Sequence, residues 1–111
     1  MTHFNSLPEF DKEFKKLEKK YQSLSEDLDF FEKILLDNPT GFGNNFAIIH
    51  SNSTCKIVKA RLSCRSLRGK SLRIIYAVTK DGISFMYIEI YFKGEKENHD
   101  YERAKTYINS L

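Results

Sequence analysis

Eight basic side chains, Lys56, Lys59, Arg61, Arg65, Arg68, Lys70, Arg73 and Lys80, fall between Cys55 and Lys80 with no carboxylate among them. Lysine and arginine at this density create a local positive field, and the usual target of such a field is phosphate. The flanks are acidic on balance. Residues 1–54 carry six basic and nine acidic groups and residues 81–111 carry four and six, so a formal net charge of only +3 conceals a strong segregation. Apolar residues alternate with the cations, as in Val58-Lys59-Ala60-Arg61-Leu62. The stretch therefore reads as a folded basic surface and not a disordered tail. Lys59 and Arg61, two residues apart on a strand, project from one face.

The rest of the composition narrows the possibilities. A chain of 111 residues that is 41% hydrophobic makes one domain with a single core. No apolar run approaches the roughly 20 residues needed to cross a bilayer. The N-terminus has no basic segment followed by an apolar one, so no signal peptide is expected and no membrane partner. Cys55 and Cys64 lack further Cys or His at zinc-ligand spacing. They read as free, semi-buried thiols of a cytoplasmic protein, with no metal and no cofactor.

The elements that must position the cations follow from periodicity. A weak strand signal covers residues 3–5. Ser6-Leu7-Pro8-Glu9 opens a helix with Ser6 as cap, and Phe10, Phe14, Leu17 and Tyr21 form its apolar stripe. A second capping box, Ser23-x-x-Glu26, opens another helix. Its stripe of Leu24, Leu28, Phe31 and Leu35 is widened by Phe30, Ile34 and Leu36, and it ends at Asp37-Asn38-Pro39. With almost no linker, the two helices form an antiparallel hairpin. A loop over residues 40–54 holds a short strand at Phe46–Ile49. Strands follow at residues 56–63, 72–79 and 83–92. The first two are joined by a basic turn around Gly69, and the last two by Asp81-Gly82. In the last strand Met86, Ile88, Ile90 and Phe92 are expected on one face. A short helix from Asn98 aligns Tyr101, Ala104, Ile108 and Leu111. The sum is an α+β fold, a helical hairpin packed on a small antiparallel sheet with a short C-terminal helix. The sheet face away from the hairpin presents Lys59 and Arg61. Tyr76, Tyr87 and Tyr91 read as packing residues.

The chain resembles the RelE/HigB branch of the RelE/ParE toxin superfamily over nearly its whole length. The resemblance is carried by Pro8-Glu9-Phe10 with its Lys-Lys-Leu repeat, by Lys20-Tyr21-x-Ser23-Leu24 and by Asp37-Asn38-Pro39. It continues through Val58-Lys59-Ala60-Arg61-Leu62, Gly69-Lys70-Ser71, Arg73-Ile74-Ile75-Tyr76 and the run from Ile90-Tyr91 to Glu97-Asn98. It implies a RelE-like fold and the toxin of a toxin–antitoxin pair, with a cognate antitoxin as partner. Many such toxins are mRNA endoribonucleases that cut on the ribosome. ParE-type members instead inhibit DNA gyrase, and a degenerate toxin would keep only antitoxin binding.

Ribonuclease chemistry of this kind needs no metal when the 2′-hydroxyl is the nucleophile. Carried over by motif, Lys59 and Arg61 match the paired basic residues of the family site, Arg73 the phosphate-binding arginine, and Lys93 the lysine that ends the last strand. Lys59 is implied as base, with Arg61 and Arg73 stabilising the transition state. Gly94 stands where RelE carries an arginine, so the general acid is left open among Lys93, Lys96 and His99. Tyr101 lies one residue out of step with an aromatic that stacks on a base. Lys56, Arg65, Arg68, Lys70, Lys96, His99 and Tyr101 complete the expected RNA-binding set. The turn before Arg73 is two residues shorter than in many members and lacks their glycines.

Overall fold

The strand β1 (His3–Ser6) runs into helix α1 (Pro8–Lys20) and helix α2 (Leu24–Asp37), and four strands follow, β2 (Phe46–Ser51), β3 (Cys55–Ser63), β4 (Ser71–Thr79) and β5 (Ser84–Phe92), before helix α3 (Tyr101–Asn109). This computed structural model describes residues 3–68 and 70–111; Gly69, the expected centre of the β3–β4 turn, lies outside them. The fold is α+β, with the sheet in the order β1-β5-β4-β3-β2.

The sheet is mixed where the sequence suggested a purely antiparallel one, because β1 pairs parallel to β5. Backbone bonds extend that pairing at both ends, from His3 N–H to Ile83 O (2.9 Å) and from Leu7 N–H to Tyr87 O (3.0 Å). A four-residue strand carries no sequence signal for direction. Beyond β1 the edge of β5 is free, and side chains satisfy it. Ile90 N–H donates to the Glu13 carboxylate at 3.3 Å, and Arg103 donates to Ile88 O at 3.0 Å. Arg103 also grips both oxygens of Glu13 at 2.8 Å, so α1 and α3 are clamped together around this edge.

One sheet face packs on the hairpin. Phe10, Leu17, Leu24, Phe31 and Leu35 meet Val58, Ala60, Leu62, Ile74, Tyr76, Phe85 and Ile90 there. Part of the other face, formed by Cys55, Ile57, Ile75, Ala77 and Ile88, lies under α3 with Tyr107 and Ile108. Cys55 and Cys64 are fully buried rather than semi-buried, and they belong to opposite faces, so both are free thiols.

Three local expectations fail for identifiable reasons. Ser6 ends β1 instead of capping α1; Leu7 is the N-cap, and the Ser6 hydroxyl donates to Asp11 at 2.5 Å. Ser23 precedes α2, yet its hydroxyl donates to Asp27 at 2.7 Å, and Glu26 turns to Arg65 in place of a capping box. Phe30 and Leu36 are 67% and 54% exposed, because α2 meets the sheet along the narrower line of Leu24, Phe31 and Leu35. On α3, Ala104 is buried while Tyr101 and Leu111 stay exposed.

The most consequential irregularity is in β5. Ile75 pairs with Glu89 and Tyr76 with Tyr87, so Ile88 is an extra, bulged residue. Met86 and Ile88 therefore lie on the α3 side, while Ile90 and Phe92 lie on the hairpin side. The bulge breaks the expected single face and turns the Glu89 side chain toward the α3 side.

Candidate functional site

Strand register assembles the site. Arg61 of β3 pairs with Arg73 of β4, and Arg73 pairs with Tyr91 of β5, so three side chains line up across the open part of the sheet. Lys59 lies two residues from Arg61 on the same face and pairs with Ile75, which in turn pairs with Glu89. Arg73 is half-buried and donates to the Ser71 hydroxyl at 3.0 Å. Among the described residues, Lys59, Arg61 and Arg73 have no carboxylate in salt-bridge contact. Three cations left without internal neutralisation on one surface favour an external anion.

A second group sits where β5 leads into α3. Glu89 is completely buried. It accepts from the Lys96 ammonium and, at 2.7 Å, from Asp100 N–H. A buried carboxylate requires such partners. Asp100 itself caps α3 by accepting from Arg103 N–H at 3.0 Å. Lys96 Nζ also lies 5.6 Å from the centre of the Tyr91 ring. Tyr91 and His99 are only 5% and 8% exposed, and Tyr91 Oη and His99 Nδ1 have no hydrogen-bond partner among the described residues. Orphaned buried polar atoms are uncommon in folded proteins, and two of them border the unpaired cations.

Burial holds the His99 imidazole below its ordinary value of 6.5, and the positive charges of Lys59 and Lys96 push the same way against Glu89 and Asp100. His99 is therefore a neutral ring at neutral pH, able to accept a proton. Burial, followed by the Glu89 charge, raises the Tyr91 phenol, which stays a donor.

The expected residues thus divide. Lys59, Arg61, Arg73, Lys96 and His99 are brought to one side of the sheet, with Tyr101 at its margin, its ring 4.2 Å from that of His99. Lys56 is on the opposite face of β3, in step with Val58 and Ala60. Arg65 is taken up by α2, donating to Glu26 at 2.6 Å and to Asp27 at 3.0 Å. Burial disfavours the Asp27 charge, but hydrogen bonds from Ser23 and Arg65 outweigh it and hold the carboxyl below its usual range. Lys93, Arg68 and Lys70 are exposed in turns and make no described side-chain contact with the cluster.

Sequence reasoning missed Glu89 and the polar end of Tyr91. A signal for the first was present: a lone carboxylate inside Ile88-Glu89-Ile90 must be buried or flank a bulge, and either case demands a cation. Among the described residues, no group of three or more His, Cys, Asp and Glu is placed to hold a metal ion. None of the described helices is long and apolar enough to cross a membrane. In sequence comparison, no family model and no curated protein matches the chain.

Proposed function

We propose that this chain is a RelE-like toxin of a toxin–antitoxin pair and a metal-independent endoribonuclease that cuts mRNA on the ribosome. The observation that carries the reading is the alignment of Arg61, Arg73 and Lys59, free of carboxylate partners, beside a neutral, buried His99. The arrangement supports a transfer in which the 2′-oxygen bonds to phosphorus and the bond to the 5′-oxygen breaks. His99 accepts the proton of the 2′-hydroxyl. Arg61 and Arg73 stabilise charge on the non-bridging oxygens. An ammonium group, Lys59 or Lys96, protonates the departing 5′-oxygen. The products are a 2′,3′-cyclic phosphate and a 5′-hydroxyl. An acidic segment of a cognate antitoxin is the complement of the same cationic face.

Induced expression of the wild type beside Lys59→Ala/Arg73→Ala, with mapping of 5′ ends on cellular mRNA, tests this. New 5′-hydroxyl ends inside translated regions are expected with the wild type alone. Growth arrest without new ends would move the target to gyrase, and no arrest would leave antitoxin binding as the sole retained property.

A further inference from the structure

Between β2, β3 and α3 lies an open groove of about 590 Å³. That is ample for a planar ring system, since small-molecule sites span roughly 300–1,000 Å³. Its walls are apolar where Ile49, Ile57, Ala104 and Ile108 meet. Lys59 and Lys105 stand in its lining, and no carboxylate lines it. Asn109 brings an amide with both donor and acceptor, and His99, whose Nδ1 lacks a partner, also lines it.

This combination is unusual for a structural crevice. A groove that only completed the core would be closed by apolar side chains, and one that merely faced water would mix both signs of charge. Here an apolar slot is bordered by cations, which suits a flat apolar ring attached to an anion. Lys59 belongs both to this groove and to the cationic row of Arg61 and Arg73, so the two surfaces are continuous.

We infer that the groove is a nucleobase subsite, which receives the base of the nucleotide next to the phosphate held on Lys59, Arg61 and Arg73. This rests on the reading of the sheet face as an RNA-cleaving surface. Single-stranded RNA can supply such a base, because its bases are unstacked and free to leave the strand. The base enters edge-first between Ile49 and α3, its ring against Ile57 and Ala104, and its polar edge toward Asn109. Its phosphate stays outside on Lys59. The groove makes the protein responsive to base identity at one position, whereas the arginine row contacts only backbone.

The test is a titration of the full-length protein, methyl-labelled at isoleucine, with a 2′-O-methylated RNA hexanucleotide that cannot be cleaved. Ile49, Ile57 and Ile108 methyl signals are expected to shift while those of Ile34 and Ile74 stay fixed. An abasic replacement at one position of the RNA is expected to remove those shifts and weaken binding about tenfold, the scale of one stacked base. Lys105→Glu, a solvent-exposed change that leaves the core intact, should weaken binding of the intact strand by a few-fold, about one phosphate contact. Binding with shifts confined to the amides of Lys59, Arg61 and Arg73, and insensitive to abasic replacement, would overturn the groove and leave the cleavage reading standing. Shifts that appear on raising the protein concentration alone would give the groove to a second copy of the chain and overturn the inference. Absence of any binding overturns it too, and the mapping of 5′ ends then decides separately whether cleavage survives.

Discussion

Cys55, Ile57, Lys59 and Arg61 alternate along one face of one strand, yet the first two are sealed under α3 and the last two are not. The strand period is the same throughout. What differs is the cover, and the boundary of the cover is set by a single buried carboxylate. Glu89 fixes the approach to α3 through Asp100 N–H, and Arg103 pins the helix to Glu13 around the edge of β5. The covered half is built for cohesion and the open half for an outside anion. A strand that is uniform in geometry can thus divide its labour when a terminal helix ends at a chosen point.

The division can be broken most sharply on the open side. Arg73→Ala or Lys59→Ala should lower RNA cleavage by about a hundredfold or more, the usual size of a lost transition-state donor. The melting temperature should barely move, since neither side chain is in an ion pair; an equal loss of stability would return both residues to a structural role. The covered side should behave in the opposite way. Ile57→Ala should cost about 2–4 kcal/mol of stability, as a large-to-small change at a fully buried site does. Urea unfolding measures that cost, and cleavage per folded molecule should be unchanged. Glu89→Gln sits on the boundary and should cost about 2 kcal/mol, the value of hydrogen bonds to a charged group. Its signature is faster amide exchange in α3 while α1 keeps its protection.

The smallest effect is a pH dependence. His99 titrates below its unfolded value of 6.5 in the folded protein. At any pH between the two values the unfolded chain binds more protons, so stability is complete above about 6.5 and declines as pH falls through that window. Lys59 and Lys96 sharpen the decline, while Glu89 and Asp100 soften it. His99→Gln should flatten this part of the curve in melting experiments across pH, leaving the separate loss near the Asp27 carboxyl at lower pH. A curve that His99→Gln leaves unchanged would remove His99 as its source.

Much of the open half was legible in the sequence, because alternation in Val58-Lys59-Ala60-Arg61-Leu62 fixes one face and a consecutive hairpin brings Arg73 beside it. Both hairpin helices were legible from their apolar stripes. Their caps were not. Ser23 had a choice between its own helix and Asp27, and tertiary contact with Ser66, whose N–H it accepts at 3.0 Å, decided it. The covering of the other half was only partly legible. The α3 stripe was visible, but a bulge of one residue at Ile88 reverses everything after it on β5, and no local propensity marks it. Arg65 looked like any other cation of the basic stretch; its commitment to Glu26 and Asp27 depends on a helix thirty-eight residues away in the chain.

The parallel pairing of β1 with β5 also fixes an order in time. His3 finds its neighbour at Ser84, almost at the far end of the chain. During synthesis the first strand must wait, unpaired, until nearly the whole polypeptide has emerged, and closing so long a loop is the slow part of assembling non-local sheet. The α1 helix, tethered to β1 by Leu7 alone, waits with it, because its packing partner is also β5. A nascent chain of this protein therefore completes its working surface only as translation of its own message is finishing.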